Sequence, residues 1–241
     1  MNILMIDTSG PACGVAVAKD GQMVCELQLT SGKTHSQRVM PMVDQALSMC
    51  EMQVSDIDLF GAVVGPGSFT GVRIGVSSVK ALAHAANKPC IGVDALEALA
   101  ANVVDFDGVI CPILDARAQQ VYGAMFESGM PPKRLMEDEV EKLTLFLDRI
   151  EAMGRDALFL GDGMAAFEKP IRERLGDKAH FVPAQHAGLR AASACALAHE
   201  YAKEEESLKD CMTLLPLYLR APQAERERAA KLAAQKENEN G

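Results

Sequence analysis

None of the seven cysteines (Cys13, Cys25, Cys50, Cys90, Cys111, Cys195 and Cys211) stands at CxxC spacing from another. An odd, scattered set of this kind provides neither a disulfide framework nor a zinc knuckle. Such residues read as small buried hydrophobes in a reducing compartment. Basic residues are also in deficit: 24 Lys and Arg stand against 33 Asp and Glu, a net charge of -9. Gripping nucleic acid alone through a broad basic face is therefore excluded, because that binding is mostly phosphate neutralisation. Contact with RNA through a partner stays open. No apolar run approaches the ~20 residues that span a bilayer, and the opening MNILMID has neither a basic leader nor an extended apolar core. A cytoplasmic protein without a membrane segment is expected.

What is present is an ordinary globular balance, 49% hydrophobic and 24% charged over 241 residues, enough for one large domain or two small ones. The pattern is written twice. Asn2 to Ile6 reads as a strand ending in Asp7, and Asp20-Gly21 joins two further strands as a hairpin. A helix follows through Val39, Val43 and Leu47. Next come a strand to Val64, a helix from Phe69 to about Asn87 and a strand at Cys90 to Val93. The second half repeats this order from Val109 to Leu114, which ends in Asp115, through the turn Gly161-Asp162-Gly163 to a last helix at Leu189 to Ala202. The repeat predicts an α/β fold of two ribonuclease-H-like lobes, similar to the actin and sugar-kinase superfamily. The expected units are 1-105, 106-222 and a charged, flexible tail at 223-241.

In that superfamily two strand-end carboxylates face each other across a nucleotide cleft. Asp7, Thr8, Ser9, Asp115 and Arg117 are therefore the candidates for a degenerate cleft. Arg117 stands where a small residue normally lets the backbone approach phosphate, and Pro11 stiffens the first loop. GPGSFTGVRIG, from Gly65 to Gly75, resembles a phosphate loop, yet Pro66 lacks an N–H and no Lys follows. Its helix reads as a packing surface, with a small-residue seam at Gly71 and Gly75 beside Val72, Val76 and Val79. One small sheet is not expected to cover both this stripe and that of Val39, Val43 and Leu47, so the two together predict an exposed interface. His35, where the first helix starts, is expected to face solvent or that interface. Neither GxSxG nor HExxH is present.

LMIDTS, THSQRVMPMVD, VVGPGSFTGVRIG, PCIGVDALEALA and PLYLR, in that order, resemble the bacterial TsaB (YeaZ) family. The likeness covers about Asn2 to Arg220. It implies an accessory subunit for forming N6-threonylcarbamoyladenosine at position 37 of tRNAs, paired with its paralogue, the catalytic subunit TsaD. Ala95 and Leu99 stand where that paralogue keeps a metal-binding HxxxH, and neither can donate a lone pair. The resemblance thus implies no catalytic residue and no metal. It implies binding to TsaD through the first two helices, with His35, Val39, Val43, Leu47, Gly71, Val72, Gly75, Val76 and Val79 in the contact. It further implies a small ATPase partner, TsaE, and indirect contact with tRNA, while the exposed stripes themselves predict a homodimer through the same helices when the chain is alone. Weakly held or interface-bound ATP or ADP is the only cofactor left open. The alternatives are an autonomous ATP-binding kinase or ATPase of the same fold, and a metalloprotease.

Overall fold

The computed structural model describes residues 1–31 and 34–220. The tail expected at 223-241 lies outside them. The first half forms β1 (Asn2–Asp7), β2 (Cys13–Lys19), β3 (Gln22–Leu29), α1 (Val39–Met49), β4 (Leu59–Gly65), α2 (Phe69–Ala86), β5 (Cys90–Asp94) and α3 (Ala95–Ala100). The second half forms β6 (Val109–Asp115), β7 (Gln120–Glu127), β8 (Lys133–Lys142), α4 (Leu143–Met153), β9 (Ala157–Leu160), α5 (Met164–Leu175), β10 (Ala179–Phe181), α6 (Ala184–Ala187) and α7 (Ala191–Tyr201). Strands run β3-β2-β1-β4-β5 in one sheet and β10-β9-β6-β7-β8 in the other. In each, the first strand pairs antiparallel with the second and parallel with the fourth. The duplication read from the sequence is therefore present strand by strand, as two ribonuclease-H-like lobes of the actin-like fold.

Local chemistry explains the boundaries. Asp20 and Gly21 take φ of 50° and 79°, the left-handed pair that lets a two-residue hairpin follow the twist of its strands. Ser68 caps α2 by accepting the Gly71 N–H at 3.2 Å. Arg190 is extended, so the helix expected from Leu189 begins at Ala191, after the separate short turn of α6.

β1 is buried on both faces, as its unbroken apolar run requires. Leu4 and Ile6 enter a core beneath α1 and α2. Ile3 and Met5 enter the larger core, which continues through α3 and α7 into the second sheet. The halves exchange covers there. α3 packs on β6 and β7, while α7, from the second half, packs on β1 and β2.

The apolar stripes are not left open. Val39, Val43 and Leu47, with Val72, Val76 and Val79, are all at most 5% exposed within their own lobe. The small-residue seam is also internal. A Cβ on Gly71 would run into the Thr8 carbonyl, and one on Gly75 would lie 2.5 Å from Thr8 Oγ1. The sequence showed which residues share a helix face. It did not show that a five-stranded sheet is wide enough to cover both helices. The expected exposure of these residues is corrected accordingly: the solvent faces of α1 and α2 carry other residues, among them Met40, Met49, Arg73, Ser77, Ala81 and His84.

Candidate functional site

The loops after β1 and β6 line one cleft of about 520 Å³ between the lobes, so Ser9 and Asp115 share its wall. The two carboxylates at the strand ends are not equivalent. Asp7 is buried, and its Oδ1 accepts both the backbone N–H and the hydroxyl of Ser9, at 2.9 and 2.7 Å. Burial pushes its carboxyl above the usual range, eased by the bonds from Ser9. Thr8 is buried as well and donates its hydroxyl to the Gly71 carbonyl at 2.7 Å. Asp7, Thr8 and Ser9 thus tie β1 to the start of α2, leaving Ser9 alone of the three at the cleft.

Asp115 does reach the cleft. Its Oδ1 accepts the Arg117 N–H at 2.8 Å, and its own N–H donates to Asp162 Oδ1 at 3.0 Å. Arg117, Ala118 and Gln119 all have left-handed φ, from 52° to 66°, an uncommon run for non-glycine residues. Asp162 was not singled out by sequence. It lies in the second glycine turn, and protein packed around its carboxyl raises its proton affinity although the residue as a whole stays exposed. The matching positions of the turns at Gly65 and Gly161 were the available signal.

The glycine-rich loop turns a corner. Ser68 gives its N–H to the Ser9 carbonyl at 2.7 Å, and a Cβ on Gly67 would strike that same carbonyl. The loop's closest approach is thus to its own chain. Gly65, at φ 116°, lies under the returning C-terminal segment, where a Cβ would meet the Leu217 carbonyl at 2.6 Å. That segment forms a strap. It pairs with β5 through Cys90 and Lys209, accepts Lys80 Nζ at the Met212 and Leu214 carbonyls, and reaches Ala116, whose carbonyl accepts from Arg220 at 3.0 Å. On its way the Tyr218 ring stands 4.8 Å from that of Phe69, and Arg73 covers Phe69 and donates to the Tyr218 hydroxyl. Sequence alone could not bring residues so far apart in the chain onto one rim.

His35 is half-buried on the cleft wall, its Nε2 bonded to the Gly10 carbonyl at 3.0 Å. It faces neither open solvent nor the outer faces of α1 and α2, because the turn before α1 folds it back over the first loop. Ala95 and Leu99 are fully buried in the larger core, as the apolar helix face implied. Among the described residues no three His, Cys, Asp or Glu side chains converge as a metal site.

The model of one family, described as TsaD: tRNA N6-adenosine threonylcarbamoyltransferase, matches residues 29–228. The chain is 36% identical over 227 residues to the tRNA threonylcarbamoyladenosine biosynthesis protein TsaB of Bacillus subtilis, covering 93% of this chain and 96% of that one. With the Escherichia coli protein of the same name it shares 38% identity over 129 residues, 53% of this chain and 55% of that one. Among solved structures, YeaZ from Pseudomonas aeruginosa superposes with a TM-score of 0.74 at 25% identity, covering 90% of this chain and 99% of the other. A second structure from that organism, titled as similar to peptidase YEAZ, gives 0.76 at 26%, with 91% and 99% covered.

Proposed function

This chain belongs to the TsaB (YeaZ) family of tRNA threonylcarbamoyladenosine biosynthesis proteins, and we propose that it serves there as a non-catalytic subunit supporting TsaD. The observation that carries this reading is that only one of the two strand-end carboxylates reaches the cleft. Asp7 is buried against Ser9, and Asp115 is held by the N–H of Arg117. A general base needs reach to a substrate proton, and Asp7 has none. In this reading TsaD docks on the solvent faces of α1 and α2. The exposed Met40 and Met49 lie on the first, and Arg73, Ser77, Ala81 and His84 on the second. In the absence of TsaD the same faces pair two copies of this chain. TsaE completes the assembly, tRNA is met only through the complex, and the work is done in the cytoplasm. No helix among the described residues is long and apolar enough to cross a membrane.

The test is reconstitution of tRNA modification with TsaD, TsaE and the threonylcarbamoyl donor, with and without this chain. Modification that depends on the chain, and is absent with the chain alone, supports the reading; equal yields without it refute it. The open cleft favours a second, compatible reading. Its volume falls within the range of small-molecule sites, and Arg117 and Arg220 offer cations at its rim, so ATP or ADP is held there weakly. Calorimetric titration of the isolated chain with ATP decides that point.

A further inference from the structure

Cys13, Cys90, Cys111 and Cys195 are at most 1% exposed and Cys211 is 8% exposed, whereas Cys25 and Cys50 are only half-buried. These two are also neighbours. Cys25 lies in β3 opposite Val17, beside the bulge between Val17 and Ala18. The alternation of β3 sends Glu26 one way, to the Arg190 guanidinium and the Ala192 N–H before and within α7. It sends Cys25 and Leu27 the other way, onto the apolar cluster beneath α1. Cys50 ends α1, its N–H shared by the Ala46 and Leu47 carbonyls at 3.1 Å each. Since α1 lies across β2 and β3, Cys50 at its end and Cys25 on the face of β3 turned toward it both pack on the margin of that cluster, beside each other.

We propose that Cys25 and Cys50 form an oxidisable dithiol, a site of exchange with small-molecule disulfides that closes the end of α1 onto β3. The thiolate of one residue attacks a sulfur of the disulfide RSSR, forming a mixed disulfide and releasing RS⁻, which takes up the proton that the protein thiol lost. The second cysteine, as thiolate, then attacks the protein-bound sulfur and expels the second RS⁻, which is protonated in turn. The protein dithiol is oxidised by two electrons, and RSSR is reduced to two RSH. Exchange rates follow both thiolate fraction and access; burial raises the proton affinity of Cys25, so access is what separates this pair from the five cysteines enclosed in the core.

The full-length chain is incubated with oxidised glutathione, blocked with iodoacetamide, digested and mapped by mass spectrometry. The expected product is a Cys25–Cys50 cross-linked peptide, lighter by two hydrogens and reversed by dithiothreitol, with the other five cysteines alkylated only after unfolding. In Cys50→Ser, and reciprocally in Cys25→Ser, the remaining thiol should stop at a glutathione mixed disulfide. Circular dichroism verifies that both variants are folded, and if either is not, the wild-type cross-link decides alone. Mixed disulfides on both residues without a cross-link overturn the proposal. So does a wild-type chain in which neither cysteine reacts before Cys13.

Discussion

The β-carbon that Gly75 lacks would stand 2.5 Å from the hydroxyl oxygen of Thr8. That oxygen is fixed, because Thr8 donates to the Gly71 carbonyl one turn earlier on the same helix. The first strand and the second long helix therefore approach at a distance set by glycine.

Gly75→Leu should destabilise the isolated chain, not merely a complex. Overpacking costs about 1 to 3 kcal/mol, a large share of the ~5–15 kcal/mol available to a domain. The urea midpoint of the lone protein should fall, and Gly75→Ala should be partly rescued by Thr8→Ala, since the pair is in contact. A wild-type midpoint for Gly75→Leu would show that the seam has room.

Asp7→Asn should be more stable than the parent at neutral pH. Burial raises the folded carboxyl's pKa, so the folded state binds its proton more tightly than the unfolded chain does. Its contribution is complete below the ordinary carboxylate pKa of about 4 and is lost as pH rises through the folded value. The amide keeps the acceptor for Ser9 without the buried charge. Urea unfolding across pH should show the variant's advantage shrinking on acidification. An advantage that grows instead would reverse the sign of the shift.

Removing the Arg73 side chain should loosen the strap while sparing the lobes. The residue covers Phe69 and holds the Tyr218 hydroxyl at 2.7 Å, an exposed arrangement worth roughly 0.5–1 kcal/mol. In Arg73→Ala, hydrogen exchange should quicken at the Leu217 amide, which donates to the Val64 carbonyl. Amides of β1 should be unchanged. Uniform acceleration throughout would mean that the arginine supports the whole fold.

Ser77→Arg combined with Ala81→Arg should weaken capture by TsaD without lowering the melting temperature. Both positions face solvent, where substitutions usually stay within about 0.5 kcal/mol. Two bulky cations at a packed interface should reduce affinity by an order of magnitude or more. Undiminished capture would move the docking surface elsewhere on the molecule, and the same variant's mass in light scattering reports on self-association.

The element order was legible because short-range chemistry wrote it. The Asp20-Gly21 turn and the apolar run of β1 each act within a few residues. Asp115 at the cleft was legible through the repeat. Asp7 was placed correctly at a strand end, but its burial depends on Ser9 and on α2, which no local pattern encodes. The valine stripes were read correctly as apolar faces and assigned the wrong cover, since periodicity gives a face its character and not its neighbour. The strap was illegible beyond the PLYLR motif, because its partners Val64, Phe69, Arg73 and Ala116 are distant in the chain.

The exchange of α3 and α7 between the halves sets a schedule for synthesis. When β5 leaves the ribosome, the first sheet has all five strands and the covers on one side, but its other face awaits α7. That helix follows roughly a hundred residues later, on the order of 5 to 20 s at ~5–20 residues per second. For that interval Ile3, Met5, Ala16 and Ala18 belong to a nascent chain with one bare apolar side. Chaperone occupancy on ribosomes stalled before Ala191 should accordingly exceed that on ribosomes stalled beyond the strap.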